Sequence, residues 1–379
     1  MKTKYSIVKE YIEKQIINNV YKPHEKIESE SELMKRFEVS RHTVRLAIGD
    51  LVTEGWLYRE QGSGTYCADR SAMEASKEAD DVKKIAIITT YISEYIFPSI
   101  IRGAEARLSK EGYQVSIFST NNSYEKEKEI MEKILLQKFD GIIVEPTKSA
   151  SANPNILYYL ELERLGIPYI MINAYYDSLE PAYLTVDDEK GGFIQADYLI
   201  KNGHKQIAGF FKTDDLQGEL RLKGFLRAHR QNNIFVNPDC IVTYETEEKL
   251  EKPIKELKKI LENNTPVTAI ACYNDELALA LLNVLRVKKI HVPNDLSMIG
   301  FDDSFLTDIS EVKLTSIQHP QSKMGEEAAN YMIDFIANSK ENKQRKGADV
   351  SSFEYQPELT TRNSVKKLEK QVNKSNKNK

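Results

Sequence analysis

The sequence SESELMKRFEVSRHTVRLAIGDLVTEGWLYREQGSGTY occupies residues 29–66 of a 379-residue chain. Ser29 and Glu32 have the spacing of a capping box, which predicts that a helix begins there. After a short turn, Ser40 can cap a further helix, whose apolar positions recur at helical spacing: Val44, Ala47, Ile48 and Leu51. Two short strands around the turn QGSG follow, since glycine allows a tight hairpin. The stretch therefore predicts two helices and a hairpin.

Three cationic or ionisable side chains, Arg41, His42 and Arg45, lie on a different side of the second of these helices. An exposed cationic helix start, packed from behind by a preceding helix, is what reading the DNA major groove requires. Arginine can donate two hydrogen bonds to a guanine edge or to a phosphate. Solvated surface charge is the alternative interpretation, but the surrounding helices and hairpin favour DNA contact.

The segments SESELMKRF, VSRHTVRLAIGDLVTEGWL and GSGTY resemble the winged helix-turn-helix of the GntR family. The resemblance implies a domain over residues 1–70 that binds double-stranded operator DNA. The candidate DNA-binding residues are Lys4, Glu30, Arg41, His42, Thr43, Arg45, Gln61 and Gly62. Glu30 is equally compatible with simply favouring a helix N-terminus.

The charge of this first part is nearly balanced, with 12 Lys and Arg against 11 Asp and Glu in residues 1–70. Bulk attraction to DNA is therefore weak, and specific placement must carry the binding. This favours a homodimer that reads a two-fold operator.

The composition and the hydrophobic pattern of the chain change after residue 70. Residues 71–82 are small, polar and charged, which is typical of a linker. From residue 83, short β-branched apolar runs alternate with amphipathic helical stretches, which predicts buried parallel strands in a doubly wound α/β fold. There are too many such units for one sheet, so two lobes are expected. Residues 362–379 are basic and poor in apolar residues, and we expect a disordered tail.

Residues 83–361 resemble the effector-binding portion of LacI/GalR repressors, which is similar to periplasmic sugar-binding proteins. The matching segments are VDDEKGGFIQADYLIKNGHKQIAGFF, LRLKGF, CYNDELALALL, VPNDLSMIGFDD and LTSIQHP. That family's own DNA-binding headpiece and hinge helix are absent here, and the GntR-type segment takes their place. The combination implies a dimeric repressor whose operator binding is relieved by a small sugar, with L-arabinose the first candidate. A hexose, a nucleoside or a sugar phosphate stays open.

Ligands of such folds bind between the lobes, at the carboxyl ends of the strands. Hydroxyl-rich sugars need planar polar side chains and an aromatic ring, so the candidate effector-binding residues are Tyr91, Tyr95, Glu145, Arg221, Asn274, Asp275 and Asp302. Arg221 and Asp275 follow from the resemblance. Glu145 could equally be a surface acid. The neighbouring Asp187 and Asp188 suggest a catalytic pair, but a helix N-cap and lobe hinge is the preferred interpretation.

Several functional classes are disfavoured by composition. The chain has a net charge of −4 and 41% hydrophobic residues, which is typical of a soluble globular protein. Without a membrane-spanning run or an N-terminal signal peptide, a cytoplasmic protein with no membrane partner is expected. Three distant cysteines and six scattered histidines argue against a disulfide framework or a metal site.

An enzyme is the rival hypothesis, because GntR headpieces are also fused to pyridoxal-phosphate domains. Such a domain needs a Schiff-base lysine and a phosphate site, and no suitable lysine context is evident. The sequence also lacks a phosphate loop and a nucleophile elbow. We therefore expect a regulator without catalytic residues, metal or cofactor.

Overall fold

The computed structural model describes residues 3–18, 20–60, 63–69, 82–263, 266–341 and 352–369. By the density of contacts, the chain divides into two compact units, residues 1–82 and residues 83–379.

The first unit is a small three-helix domain with a two-stranded hairpin. Its elements are α1 (Lys4–Ile17), α2 (Glu30–Phe37), α3 (Arg41–Thr53), β1 (Leu57–Glu60) and β2 (Gly64–Cys67). The two strands pair antiparallel. The helices and the hairpin enclose one core of buried side chains: Val8, Ile12, Ile27, Leu33, Val44, Ala47, Ile48, Leu51 and Leu57. The apolar face predicted for α3 is thus confirmed as its buried face.

Side-chain caps fix where α2 and α3 begin. The predicted capping box is present, because Glu32 N donates to Ser29 Oγ at 3.3 Å and Ser29 N donates to the Glu32 carboxylate at 2.7 Å. At the next helix, Ser40 Oγ accepts from Thr43 N at 3.2 Å. Between them Glu38 ends α2 in the left-handed conformation, with φ 50°. These caps and the left-handed Glu38 set where α2 ends and where α3 begins.

The second unit is built of alternating strands and helices. Its helices are α4 (Phe97–Lys110), α5 (Tyr124–Gln137), α6 (Ile156–Leu165), α7 (Asp188–Lys201), α8 (Leu216–Gln231), α9 (Lys252–Glu262), α10 (Asp275–Val287), α11 (Leu306–Ile309) and α12 (Gln321–Glu341). Its strands are β3 (Lys84–Thr89), β4 (Gln114–Ser119), β5 (Gly141–Val144), β6 (Tyr169–Ile172), β7 (Tyr183–Val186), β8 (Ile207–Lys212), β9 (Ile241–Tyr244), β10 (Ala269–Cys272), β11 (Ser297–Asp302), β12 (Thr315–Gln318), β13 (Phe353–Tyr355) and β14 (Leu359–Thr360).

These strands form two six-stranded sheets, one in each lobe. The first-lobe sheet has the order β13-β7-β6-β5-β3-β4 and the second-lobe sheet has the order β14-β12-β11-β10-β8-β9. Neighbouring strands are parallel except β14, which runs antiparallel to β12. The chain passes between the lobes near residues 187, 319 and 357, because the elements on either side of each point belong to different sheets. The predicted two-lobed α/β fold is confirmed.

The end of the described chain departs from the predicted disordered tail, because residues 362–369 pack on the second lobe. Ser364 is fully buried, and its Oγ donates to Met298 O at 2.6 Å and accepts from Thr315 N at 2.8 Å. Farther on, Leu368 N donates to Asn202 O at 2.8 Å. Most of these bonds involve backbone atoms, whose pairing the basic composition of the segment does not reveal. Residues 370–379 lie outside the described part.

Candidate DNA-binding surface and effector cavity

The exposed face of α3 presents two arginines held by one glutamate. Arg41 and Arg45 are both about 60% exposed. Glu30, at the start of α2, places both carboxylate oxygens 3.0 Å from Arg45 Nε, and Glu30 Oε2 lies 3.7 Å from Arg41 Nε. The two guanidinium groups are therefore held side by side at the N-terminal end of α3. This arrangement offers planar donors to base edges or phosphates.

Three other predicted DNA-binding residues lie on the same helix or contact the turn before it. His42 is exposed, and Thr43 is half-buried with its Oγ1 2.9 Å from Ser40 Oγ. Lys4 Nζ donates to Glu38 O at 3.2 Å, beside the turn that leads into α3. The remaining two candidates, Gln61 and Gly62, lie outside the described residues.

The hairpin adds cations that sequence reasoning missed. Arg59 is exposed on β1, and Lys26 Nζ donates to Ser63 O at 2.5 Å, beside the turn. Gly64 has φ +145°, a backbone conformation that residues with a side chain rarely adopt, so glycine is favoured at that position. Arg59, next to the glycine-rich turn, could have been found from the sequence.

A cavity of about 130 Å³ lies between the two lobes of the second unit, at the carboxyl ends of their strands. Six of the seven predicted effector-binding residues line it: Tyr91, Tyr95, Glu145, Arg221, Asn274 and Asp302. The topology explains this convergence, since parallel strands end at one edge of each sheet and the three crossings set those edges opposite each other.

Arg221 is the most heavily bonded of these residues. It lies in the second turn of α8, not at its start as expected, and its side chain is only 5% exposed. It donates to Asp188 Oδ1 at 2.8 Å, to Tyr273 O at 2.8 Å and to Asp302 Oδ1 at 3.2 Å, while its guanidinium lies 3.5 Å from the Phe301 ring centroid. The paired carboxylates keep it charged, and they hold the pKa of Arg221 above its ordinary value against burial.

Asp187 and Asp188 are neighbours in sequence but have different roles. Asp187 is the N-cap of α7, with its Oδ1 accepting from Lys190 N at 2.9 Å, as the preferred interpretation of this pair expected. Asp188 does more than mark a hinge. It is buried, lines the cavity and pairs with Arg221. Sequence reasoning missed this second role, because the partner lies 33 positions away.

The Tyr95 hydroxyl joins the two lobes. It lies 2.7 Å from Asp302 Oδ2 and accepts from Asp275 N at 3.1 Å, and both partners belong to the second lobe. Burial and the neighbouring carboxylates raise the pKa of Tyr95, so its hydroxyl stays protonated. Tyr95 and Asp302 both have positive φ, 57° and 90°. Such backbone strain at non-glycine residues is typical of functional sites.

Asp275 differs from its expected role as an effector ligand. Its carboxylate is absent from the residues that line the cavity. It is fully buried instead, accepting from Ser304 N and Ser304 Oγ at 2.8 and 3.0 Å and from Ser316 Oγ at 2.7 Å. The preceding Asn274 lines the cavity and caps α10, accepting from Leu277 N at 2.9 Å. Asp275 thus ties β12 and the segment after β11 to α10, behind the cavity wall.

Replacing Asp275 by asparagine should change how stability depends on pH. Burial raises the pKa of Asp275 to about 8, so the folded chain binds this proton more tightly than the unfolded chain, where the pKa is about 3.9. Its stabilising contribution is therefore complete below about pH 4 and is lost as the pH rises toward 8. We expect the advantage of Asp275→Asn over the native protein to grow across this range. Urea unfolding at pH 5, 6, 7 and 8 measures it.

The control for this experiment is Asp334→Asn, because Asp334 is exposed on α12. Its free-energy difference from the native protein should stay flat over the same range. A flat difference for Asp275→Asn as well would mean that the Asp275 carboxyl is ionised without cost in the folded chain.

Three further residues of the cavity wall were missed: Asn173, Lys212 and His319. Asn173 follows β6, Lys212 ends β8 and His319 follows β12, so the strand-end rule that found Glu145 would also have found them. His319 Nε2 lies 3.0 Å from Asn173 Oδ1, which links the lobes a second time. Burial lowers the pKa of His319 to about 4, so the ring is neutral.

The cavity is rich in acid, and its cations are neutralised. Six acidic side chains line it: Glu94, Glu145, Asp188, Asp215, Glu276 and Asp302. Each lining cation has carboxylate partners at 2.8–3.9 Å: Lys212 with Asp214 and Asp215, Arg221 with Asp188 and Asp302, and Lys249 with Glu94 and Glu276. The cavity therefore offers many hydrogen-bonding groups but no unbalanced positive charge.

The described residues contain neither a metal cluster nor a membrane-spanning helix. No group of three or more His, Cys, Asp or Glu side chains there is arranged to hold a metal ion. No helix in the same ranges is long and apolar enough to cross a bilayer.

A winged helix with cations on its third helix, together with a two-lobed domain that encloses a cavity lined by many hydrogen-bonding side chains, defines a ligand-responsive transcription regulator. Two family models match accordingly. Residues 4–67 match the bacterial regulatory proteins of the gntR family, and residues 196–365 match the periplasmic binding protein-like domain. The solved transcription regulator CcpA of Lactococcus lactis has the same fold over 75% of this chain and 100% of its own, with a TM-score of 0.65 and 21% identity.

Full-length relatives are much closer in sequence. An arabinose metabolism transcriptional repressor of Halalkalibacterium halodurans is 56% identical over 96% of this chain and 97% of its own length. One of Geobacillus stearothermophilus is 47% identical over 96% of this chain and 98% of its own. The chain belongs to the family of arabinose metabolism transcriptional repressors. The relatives are repressors, so the chain is placed with regulators rather than enzymes, and the expected GntR and LacI/GalR combination is confirmed.

Proposed function

We propose that this protein is a homodimeric repressor of arabinose-metabolism genes, and that L-arabinose bound between the lobes lowers its affinity for operator DNA. The names of the two full-length relatives support the choice of sugar. The observation that carries the proposal is the cavity itself, which is lined from both lobes by many hydrogen-bonding side chains and is free of unbalanced positive charge.

The charge of the cavity favours a neutral sugar over a sugar phosphate. A phosphate would need an arginine or lysine free to neutralise it, yet the lining cations already have carboxylate partners. A sugar hydroxyl can donate to a carboxylate and accept from an amide, so it fits acids such as Asp188 and Glu145 and the amide of Asn274. The ring of Tyr91 or Tyr273 can cover an apolar sugar face.

Lobe closure offers a route from the sugar to the operator. Tyr95 and His319 already make polar contacts across the lobes, so a ligand between them changes how tightly the lobes close. Closure would alter the spacing of two headpieces, which must match half-sites one helical turn or more apart. The coupling is reciprocal, so operator DNA weakens sugar binding by the same factor.

Dimer formation through the second unit is supported by its surface. Phe305 and Ile309 are 59% and 68% exposed, and they lie at and within the short helix α11. Val287, at the end of α10, is 80% exposed. Phe305 and Ile309 lie four positions apart, and exposed large apolar side chains grouped in this way are typical of protein interfaces.

The effector assignment predicts a selective loss of DNA binding. An operator is first selected from a pool of random duplexes with the full chain, and its affinity is then measured by fluorescence anisotropy. L-arabinose should weaken binding by about 5- to 150-fold, the usual range of allosteric coupling. D-ribose 5-phosphate should have no effect, because the cavity lacks an unpaired cation. Release of the operator by the phosphate but not by L-arabinose would contradict the proposal.

A further inference from the structure

A chain of four side chains crosses the cavity wall from one lobe to the other. Thr90 N and Thr90 Oγ1 donate to Glu145 Oε2 at 2.8 and 2.6 Å. Asn173 Nδ2 donates to Glu145 Oε1 at 2.9 Å, and Asn173 Oδ1 lies 3.0 Å from His319 Nε2. We call Thr90, Glu145, Asn173 and His319 the relay. All four line the cavity.

Burial raises the pKa of Glu145, while its hydrogen bonds from Thr90 and Asn173 oppose that rise. With Glu145 ionised, the hydrogen bonds of the relay determine which ring nitrogen of His319 carries the proton. The Glu145 carboxylate receives three donors, so it accepts at both oxygens and requires the NH₂ of Asn173. Asn173 must then turn its carbonyl oxygen toward His319. An oxygen there can only accept, so His319 carries its ring proton on Nε2. Because the ring is neutral, Nδ1 is left with a lone pair.

His319 Nδ1 has no hydrogen-bond partner among the described residues, although it is shielded from solvent. A shielded acceptor without a partner costs free energy, and a second one, Gln217 Oε1, belongs to a residue that lines the same cavity. A ligand that brings hydroxyl donors to these atoms would satisfy them.

We propose that His319 is a specificity-determining residue of the effector cavity, whose Nδ1 accepts a hydrogen bond from one sugar hydroxyl. Glu145 and Asn173 act as positioning residues, because they set which nitrogen of the ring can accept. The assignment rests on the proposed function for the identity of the sugar, but the relay itself is a property of the protein alone.

Because His319 Nδ1 is an acceptor, the cavity favours a sugar that has a hydroxyl donor at this position. A hydroxyl at this position binds, whereas a fluorine in its place cannot donate and leaves Nδ1 without a partner. Discrimination of this kind, against an analogue that lacks one hydrogen-bonding group, is stronger than discrimination by a methylene.

Glu145→Gln should reverse the relay without changing its shape. The carbonyl of the introduced side chain must face Thr90 N, so its NH₂ faces Asn173. Asn173 then turns its oxygen toward that NH₂ and its own NH₂ toward His319 Nε2. The ring proton moves to Nδ1, which becomes a donor. The matched control is Glu127→Gln, since Glu127 is also buried in the first lobe and accepts from asparagine and tyrosine side chains, but it does not line the cavity.

The tautomer can be measured without any sugar. The full chain is labelled with ¹⁵N only in its six histidines, and magic-angle-spinning NMR reports which ring nitrogen of each carries the proton; His319→Asn assigns the signal. We expect protonated Nε2 in the native protein and in Glu127→Gln, and protonated Nδ1 in Glu145→Gln. A native ring protonated on Nδ1 overturns the proposal outright, even if a variant fails to fold. An unchanged tautomer in folded Glu145→Gln overturns the role of Glu145.

Calorimetry with L-arabinose and its monofluoro analogues tests the ligand side. One fluorine position should weaken binding to the native protein by about 10- to 100-fold. That penalty should fall to within about threefold in His319→Phe, whose ring has no nitrogen to accept the hydrogen bond. An equal penalty in both proteins overturns the role of His319 in reading the sugar. If L-arabinose itself does not bind the native protein, the proposed effector is wrong, and the NMR result still decides the relay.

Discussion

Arg45→Ala is expected to abolish specific operator binding while leaving folding and sugar binding intact. Arg45 is exposed on α3, beside the face that buries Val44 and Ile48. A bidentate contact to a base is worth roughly 1–3 kcal/mol in each subunit. A dimer loses it twice, so operator affinity should fall by about 30-fold or more. Gel shift against the selected operator measures this.

Two variants separate base reading from charge. Lys14→Ala removes an exposed cation from α1, near the end remote from Lys4, and should change operator affinity little. Arg45→Lys keeps the charge but loses the planar fork, so it should lose preference for the operator over random DNA. Native affinity in Arg45→Ala would show that α3 does not read the operator with this side chain.

Arg221→Ala should give a repressor that no sugar can release. The substitution leaves Asp188 and Asp302 buried without their cation, and breaking a buried ion pair costs roughly 3–5 kcal/mol of folding free energy. It also removes the group that positions both carboxylates at the cavity. We expect a marked fall in the melting temperature and no detectable heat of L-arabinose binding, with operator binding retained at temperatures where the variant is folded.

Arg227→Ala is the matched control, because Arg227 lies on the same helix, is 42% exposed and pairs with Glu189. An ion pair of this exposure contributes about 0–1 kcal/mol, so stability and sugar binding should change little. Adding Asp188→Asn to Arg221→Ala should recover part of the lost stability, since one uncompensated carboxylate is removed. Native-like sugar affinity in Arg221→Ala would place the effector elsewhere.

The first unit could be predicted closely because its determinants are local. The capping box at Ser29, the cap at Ser40 and the apolar spacing of α3 all act within a few residues of each other. All three features were predicted from the sequence, and all three are present in the structure. The pairing of Glu30 with Arg45 was not foreseen, because it joins two helices across a turn and depends on the angle between them.

The cavity could be predicted only in part, because its chemistry depends on contacts between distant residues. Strand ends identified Tyr95, Glu145 and Asn274 as members of one site, and the family resemblance added Arg221. The sequence does not show which of two adjacent side chains faces the cavity, so Asp275 was chosen alongside Asn274 although it turns into the core. His319, which Glu145 reaches through Asn173, lies 174 positions farther along the chain, at a crossover between the lobes.

The ion pairs of Glu30 with Arg41 and Arg45 have a consequence for how the repressor would find its site in a chromosome. A genome presents about 10⁶–10⁹ competing stretches of DNA, and unpaired arginines would adhere to all of them through phosphates. With both guanidinium groups engaged by a carboxylate, random duplex must first displace that carboxylate. The free energy lost by displacing the carboxylate is recovered in full only on a sequence whose base edges take its place as partners of the arginines. Under the proposed role of these arginines, we expect Glu30 to weaken every encounter with DNA, to shorten the time spent on wrong sequences, and so to leave more repressor free to search.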